Sequence, residues 1–370
     1  MNAAGHSYSG WCLALMLINW LQLFAGVPAI AVIGLSLALA LAFAGAAIWP
    51  DWDYKNSTIS TAFGWFSQQV HKGVVQLHYF VADLTKDGRK RTPPGPHRGI
   101  THWYPFPPSI GLIVAAGCWW NKWVLFAVLV ILYAGAIRAV TVPDYMARPE
   151  HTVRHRWSME LVHKFLDFSP GAVITLTAVG IGGALLVSKW FLLSVIVIAL
   201  LIVPVHLLKR ARRHVNRSRT VQLSYWTRYR IPVGKFMTTG VAALLAFIVI
   251  HSAWVLAHAV WMGAVVCLGM YLHILGDSPT EMGIPGARLD KFWRLPKWAA
   301  FRAGGPFEIV FLWVPMAGLG IYLIPGLRPH AEVMMVQTYI VWGLGILTVA
   351  ALVIEAIARY SRKRRKQWAR

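Results

Sequence analysis

Three short clusters carry the residue types able to do chemistry in this chain. The first is Pro96-His97-Arg98-Gly99-Ile100-Thr101-His102, in which two histidines flank an arginine and a glycine. The second is Pro50-Asp51-Trp52-Asp53, where an apolar run ends. The third is His273-Ile274-Leu275-Gly276-Asp277, also at the end of an apolar run. His273 and Asp277 are spaced to share one helical face, so both side chains can reach a single ion. Asp51 and Asp53 can point to one centre if the backbone leaves the helix between them. Gly99 permits close backbone approach or a positive φ. Arg98 has the planar donor fork that clamps a phosphate or carboxylate, and Thr101 can orient a ligand or cap a helix. The chemistry these types suggest is metal binding by nitrogen and oxygen donors. Each cluster also has a plainer reading: a polar stop at an interface, a His–Asp hydrogen bond between helices, or a basic loop beside a membrane.

The elements that position these clusters are long apolar runs. Of 370 residues, 57% are hydrophobic and 14% charged, with a mean hydropathy of +0.53. Soluble domains carry about a quarter charged residues, so this is a polytopic membrane protein. Ionisable residues at membrane depth are costly and mark function, which singles out His273 and Asp277. The formal net charge is +22. In a membrane protein such an excess reads first as positively charged cytoplasmic loops, and only then as a nucleic-acid surface.

Taken in order, apolar spans are expected over residues 11–25, 29–49, 109–119, 123–140, 171–187, 190–208, 237–256, 258–275, 307–324 and 333–358. These ten spans pair into five hairpins, giving an all-α fold with a single transmembrane domain over 1–370. Each is near the length a bilayer core needs. Residues 55–91 are amphipathic and read as an interfacial helix and a loop. Among Lys and Arg, only Lys122, Lys189 and Arg328 then fall in the turns opposite the long polar segments. That asymmetry predicts a multi-pass protein of the cell's inner (plasma) membrane, with both termini, the basic loop 209–235 and the basic tail 359–370 in the cytoplasm. It also places the three clusters together at the cytoplasmic face.

Other polar residues carry less. His71 and His78, and His151 and His155 with Glu150, Glu160, His163 and Asp167, fit charged amphipathic connectors. Cys12, Cys118 and Cys267 lie in apolar runs without a metal or redox spacing. The first apolar run lacks the basic flank of a cleavable signal peptide.

Together the clusters resemble the inner-membrane metal-dependent hydrolase family known as YdjM, or LexA-binding. That family has an early Gly-His, a Pro-Asp-x-Asp-His, a His-Arg-Gly-x-Thr-His-Ser and a His-x-x-x-Asp-x-x-Thr-x-x-Gly-x-Pro motif. The matching residues are Gly5-His6; Pro50 to Asp53; His97 to His102; and His273, Asp277, Thr280, Gly283 and Pro285. Tyr54 stands where the family has histidine, and Trp103 where it has serine. The resemblance does not extend to the additional spans between His102 and His273.

The resemblance implies one site built from His6, Asp51, Asp53, His97, His102, His273 and Asp277. Such mixed donors suit zinc, with manganese or iron as alternatives, and are too nitrogen-rich for a calcium or magnesium cage. Seven groups exceed one tetrahedral shell, so either two ions share a carboxylate or one ion has outer supporting groups. The implied activity is metal-assisted hydrolysis, with Asp53 or His102, whichever is not a ligand, as general base. Arg98, Thr101 and Thr280 would bind substrate, with Lys90 and Arg91 helping to hold an anionic group. A site at the membrane face favours lipid-linked phosphoesters, with membrane lipids as partners. Two other classes remain. An ion or proton transporter would place its site at mid-membrane, whereas these residues sit at span ends. A non-catalytic anchor could bind protein or nucleic acid through Lys209 to His214, without the aromatic interleaving or fold of a nucleic-acid binder. Oligomeric state is not legible.

Overall fold

The structure is a computed structural model that describes residues 3–55, 57–84, 98–141, 231–278, 280, 283–285, 292–293, 314–325 and 329–342. His97, the segment 144–168, the spans expected over 171–187 and 190–208, most of the loop 209–235 and the tail 359–370 lie outside the described residues.

What is described is mostly helical. The helices are α1 (Ala3–Leu21), α2 (Ala29–Ala46), α3 (Trp65–Leu84), α4 (Phe106–Trp120), α5 (Lys122–Thr141), α6 (Ile231–Val249), α7 (Ala253–Ala257), α8 (Met262–Asp277) and α9 (Val314–Tyr322), and residues 330–342 are helical as well. Short 3-10 turns occupy Trp49–Asp53, Ile100–His102 and Ala259–Trp261. Among the described residues a two-residue antiparallel pair, β1 (Ile284–Pro285) with β2 (Phe292–Trp293), departs from the all-helical expectation. Among the described residues, three helical stretches are long and apolar enough to cross a membrane: Ala31–Asp53, Lys122–Ala139 and Ala259–Asp277.

Helix α2 is the axis of the bundle. Its sequence is apolar on every side, as befits a helix surrounded by others. Ala38, Ala40, Ala42, Ala44 and Ala46 are all buried. Small side chains of this kind let helix backbones approach closely, which is how helices associate where lipid removes the hydrophobic drive. Against α2 pack α1, α5 and α8. The α2–α5 contact is closest at Gly45, where an added Cβ would run into the Leu132 backbone. Leu125, Leu129, Leu132 and Tyr133 of α5 share a core with Ala242, Leu245 and Ala246 of α6.

Two element boundaries differ from the sequence expectation, each for a local reason. Helix α1 starts at Ala3, well before position 11. Its early serines are absorbed, since Ser9 Oγ donates to Gly5 O at 2.8 Å and Ser7 Oγ to Ala44 O at 3.2 Å. Serine hydroxyls that bond backbone carbonyls need no water, so the helix continues and takes His6 into the interior. The expected 237–256 span instead ends at Val249. There the amides of His251 and Ser252 bond back to Ile248 O and Val249 O, closing tight turns.

Helix α8 is set deep against α2 and α4 by two glycines. A Cβ on Gly269 would lie 2.5 Å from Ala46 Cβ and 3.0 Å from Ala47 N, and Gly111 and Gly263 face one another across α4 and α8. Because Gly269 lies one turn before His273, its contact also sets the height of that histidine. Gly269→Val should therefore destabilise by about 1–3 kcal/mol through overpacking. Gly240→Ala, with nothing within 4 Å of an added Cβ, should not destabilise and should gain up to about 1 kcal/mol of helix propensity. Thermal melts of the two variants in the same lipid nanodiscs check this.

Candidate metal centre

The C-terminal ends of α2 and α8, the start of α1 and the turn before α4 meet at one end of the bundle. Each ends there for a reason in its sequence. Helix α2 runs into Pro50, and the chain continues as the 3-10 turn Trp49–Asp53. Serines hold that turn: Ser57 Oγ donates to Asp51 O at 2.7 Å and Ser60 Oγ to Trp52 O at 3.2 Å. His71 of α3 braces it through Nδ1, 2.8 Å from Trp52 O. The 3-10 turn Ile100–His102 buries all three of its residues.

Two imidazoles form the centre. His102 Nδ1 lies 3.1 Å from Asp53 Oδ2, and His273 Nδ1 lies 2.7 Å from Ala47 O. A carboxylate and a carbonyl only accept, so each Nδ1 carries the hydrogen in the neutral ring. The two Nε2 atoms then face each other at 3.1 Å. Two lone pairs cannot face at that distance unless something positive sits between them. Asp277 Oδ2 completes a triangle, 3.5 Å from His102 Nε2 and 3.6 Å from His273 Nε2. Donors about 2.0–2.2 Å from a tetrahedral ion are separated by about 3.3–3.6 Å; the two edges to Asp277 fall in that range and the Nε2–Nε2 edge, 3.1 Å, is a little shorter.

Around the triangle stand further donors. Asp51 Oδ1 is 3.5 Å from His273 Nε2, and its side chain is 19% exposed, against 3% or less for His102, His273 and Asp277. His6 stacks on His273 with ring centroids 3.6 Å apart, and its Nε2 lies 3.3 Å from Asp277 Oδ1. In two sets, His6–His273–Asp277 and Asp51–His102–His273, one donor atom per residue lies within 4.8 Å of the others. Mixed imidazole and carboxylate donors of this kind fit a divalent transition metal or zinc.

The remaining polar residues act on the donors. Asp53 Oδ2 accepts from Gly99 N at 3.1 Å and Thr101 Oγ1 at 2.7 Å besides His102. That oxygen is fully engaged, which suits it to orient His102 better than to take a proton from water. Arg98 is buried, with NH2 3.1 Å from Asp277 Oδ2 and NH1 donating to Thr280 Oγ1 and Gly283 O, each at 2.7 Å. Thr280 Oγ1 donates in turn to Asp277 O at 2.7 Å. The partners of Arg98, Thr101 and Thr280 are thus protein groups. Gly99, expected to be free to take a positive φ, has φ −86°; the positive φ falls instead on Arg98, at 61°, a strained conformation held by those bonds.

Of the seven metal-ligand candidates, the structure brings together His6, Asp51, Asp53, His102, His273 and Asp277; His97 lies outside the described residues. Sequence reasoning missed the Ala47 carbonyl and the brace from His71. The first carries no side-chain signal. The hydroxyl-rich run Ser57-Thr58-Ile59-Ser60-Thr61 after Asp53 is the signal that could have pointed to the held turn.

The family model described as YdjM inner membrane protein matches residues 1–211, more than half of the chain. The match takes in His6, Asp51, Asp53, His97 and His102, while His273 and Asp277 lie beyond it. Neither curated proteins nor solved structures gave a match.

The charges around His102 have a measurable effect. Burial opposes its protonation, but Asp53 and then Asp277 outweigh burial and push its pKa up to about 9. A folded-state pKa above the ordinary 6.5 adds stability that is fully present below pH 6.5 and lost as pH rises through 9. In chelator-treated protein the melting temperature should therefore fall between those pH values. Asp53→Asn should flatten the slope, and an unchanged slope in that variant would rule out the Asp53–His102 pair as its source.

Proposed function

This chain belongs to the YdjM inner membrane protein family, and from that and its buried His–Asp cluster we propose that it is a membrane-bound, metal-dependent hydrolase. The observation that carries the reading is the pair of Nε2 atoms 3.1 Å apart, with each Nδ1 committed to a protein acceptor. That arrangement presents nitrogen lone pairs to one point beside a carboxylate.

In this reading His102, His273 and Asp277 are the ligands, with Asp51 beside them and His6 supporting Asp277. Zinc is the first choice of ion for such a set, with manganese or iron as alternatives. A bound ion would supply a water acidic enough to attack at neutral pH and would polarise the scissile oxygen. Asp53 fixes the tautomer and angle of His102, and Ala47 O does the same for His273. Arg98 and Thr280 hold Asp277. Asp51, the least buried of these carboxylates, is the group placed to accept the proton of the attacking water. Asp53 and Asp277 favour a proton on His102, and a metal would compete with that proton, so apparent affinity should rise with pH.

The substrate class follows from location. A site at the ends of apolar helices opens where lipid headgroups lie. A lipid-linked phosphoester fits that position and the chain's +22 charge, with Lys90 and Arg91, which lie outside the described residues, proposed to help hold its anionic group. The asymmetry of Lys and Arg supports a cytoplasmic face for the site, cytoplasmic termini and a multi-pass chain of about ten spans.

Metal content decides between ligation and simple packing. His273→Ala and Asp277→Ala should each abolish bound metal, read by elemental analysis of purified protein, while insertion is retained. Thr280→Ala should lower affinity or activity only about 10–100-fold, as supporting groups do. If the cluster merely joins helices, all three variants will melt lower with metal content unchanged. Hydrolysis of a lipid phosphoester, lost in Asp51→Asn with metal retained, tests the reaction itself.

A further inference from the structure

Helix α3 carries an apolar face that the bundle does not use. Its inner face is settled: Ser67, His78 and Ala82 are buried, and Val70 and Val74 pack on the cluster containing Ile48, Trp52 and Ile59. The outer face divides in two. Gln68, Gln69, Lys72, Gln76 and Asp83 are exposed along one strip. Beside it, Phe66, Gly73, Leu77, Phe80 and Leu84 follow one another at steps of seven, four, three and four residues. Those steps form a continuous stripe along one side of a helix. Phe66 is 50% exposed, Phe80 62% and Leu84 70%. From Phe66 to Leu84 the stripe runs about 27 Å at 1.5 Å per residue.

The position of α3 says what covers this stripe. The apolar stretch Ala31–Asp53 is long enough to span a bilayer and ends at Asp53. Helix α3 packs directly on that end, joined to it by His71 Nδ1 and Trp52 O at 2.8 Å. Ser67 Oγ accepts the Phe63 amide at 2.6 Å, fixing where α3 begins. The helix therefore lies at the level where hydrocarbon gives way to headgroups. Trp65, 75% exposed, and Tyr79, 45% exposed, share the polar strip by helical angle, and such rings settle at the headgroup level. Lys72 on the polar strip suits anionic headgroups.

We propose that α3 lies in the plane of the membrane surface, with Phe66, Leu77, Phe80 and Leu84 inserted among the lipid acyl chains and the glutamine strip facing water. Interfacial helices sink about 5–10 Å in this way. Since α3 braces the turn bearing Asp51 and Asp53, it sets the depth of the His–Asp cluster at the headgroup layer. This inference needs neither a bound metal nor hydrolysis, so it stands or falls apart from the proposed activity.

The test uses the full chain with Cys12, Cys118 and Cys267 replaced by serine or alanine. Single cysteines, Phe66→Cys, Leu77→Cys, Phe80→Cys, Gln69→Cys and Gln76→Cys, carry an environment-sensitive NBD label. The protein sits in nanodiscs of phosphatidylglycerol and phosphatidylethanolamine. All five sites are exposed; Leu84→Cys replaces any stripe variant that does not elute as a single peak. The stripe positions should emit to the blue and be quenched several-fold more by brominated lipid than by aqueous iodide. Gln69 and Gln76 should show the reverse. Iodide quenching alike at all positions would overturn the proposal by placing the stripe in water. Blue emission without lipid quenching would overturn it by showing that protein covers the stripe.

Discussion

The hydrogen bond from His273 Nδ1 to the Ala47 carbonyl, 2.7 Å long, is the contact on which the arrangement turns. Ala47 is the cap of α2, where the last helical carbonyls have no partner within their own helix. In an apolar surrounding such a carbonyl must find a donor. A histidine from α8 supplies it, and in doing so presents its other nitrogen to the cluster. One bond thus satisfies a helix end, locks α8 to α2 and fixes a ring's tautomer.

That bond can form only because the backbones come close. Gly269 against Ala46, and Gly111 against Gly263, remove the side chains that would hold α8 away. The alanine-rich stretch of α2 does the same for α1 and α5. Packing and site geometry are therefore one problem in this bundle. The residues that set the site's dimensions are small, apolar and a full turn from the chemistry.

The electrostatics follow the same economy. Asp53 and Asp277 are buried carboxylates, which are tolerated only when paired and hydrogen-bonded. Asp277 has Arg98, His6 and His102; Asp53 has His102, Thr101 and the Gly99 amide. Arg98, whose type invites a substrate-binding role, is held inside by Asp277, Thr280 and Gly283. Its positive φ is the backbone cost of turning it inward.

A mostly helical membrane protein was legible in the apolar runs, and the residues that the structure brings into one cluster were legible in the polar motifs and the family resemblance. Runs of apolar residues with few charges read as membrane helices, and each polar cluster sits at the end of such a run. Spacing placed His273 and Asp277 on one face, because a helix repeats every 3.6 residues. What spacing could not assign was which carboxylate pairs with which histidine. Asp51 and Asp53 are of one type, two positions apart, and their roles separate only when the 3-10 turn points Asp53 at His102 and leaves Asp51 beside His273. His6 was legible only by resemblance, since nothing local says that α1 begins at Ala3 and buries it. The Ala47 carbonyl was not legible at all, because a backbone group has no letter in the sequence. Those assignments depend on distances between helices, and distances between helices are set by packing across elements far apart in the chain.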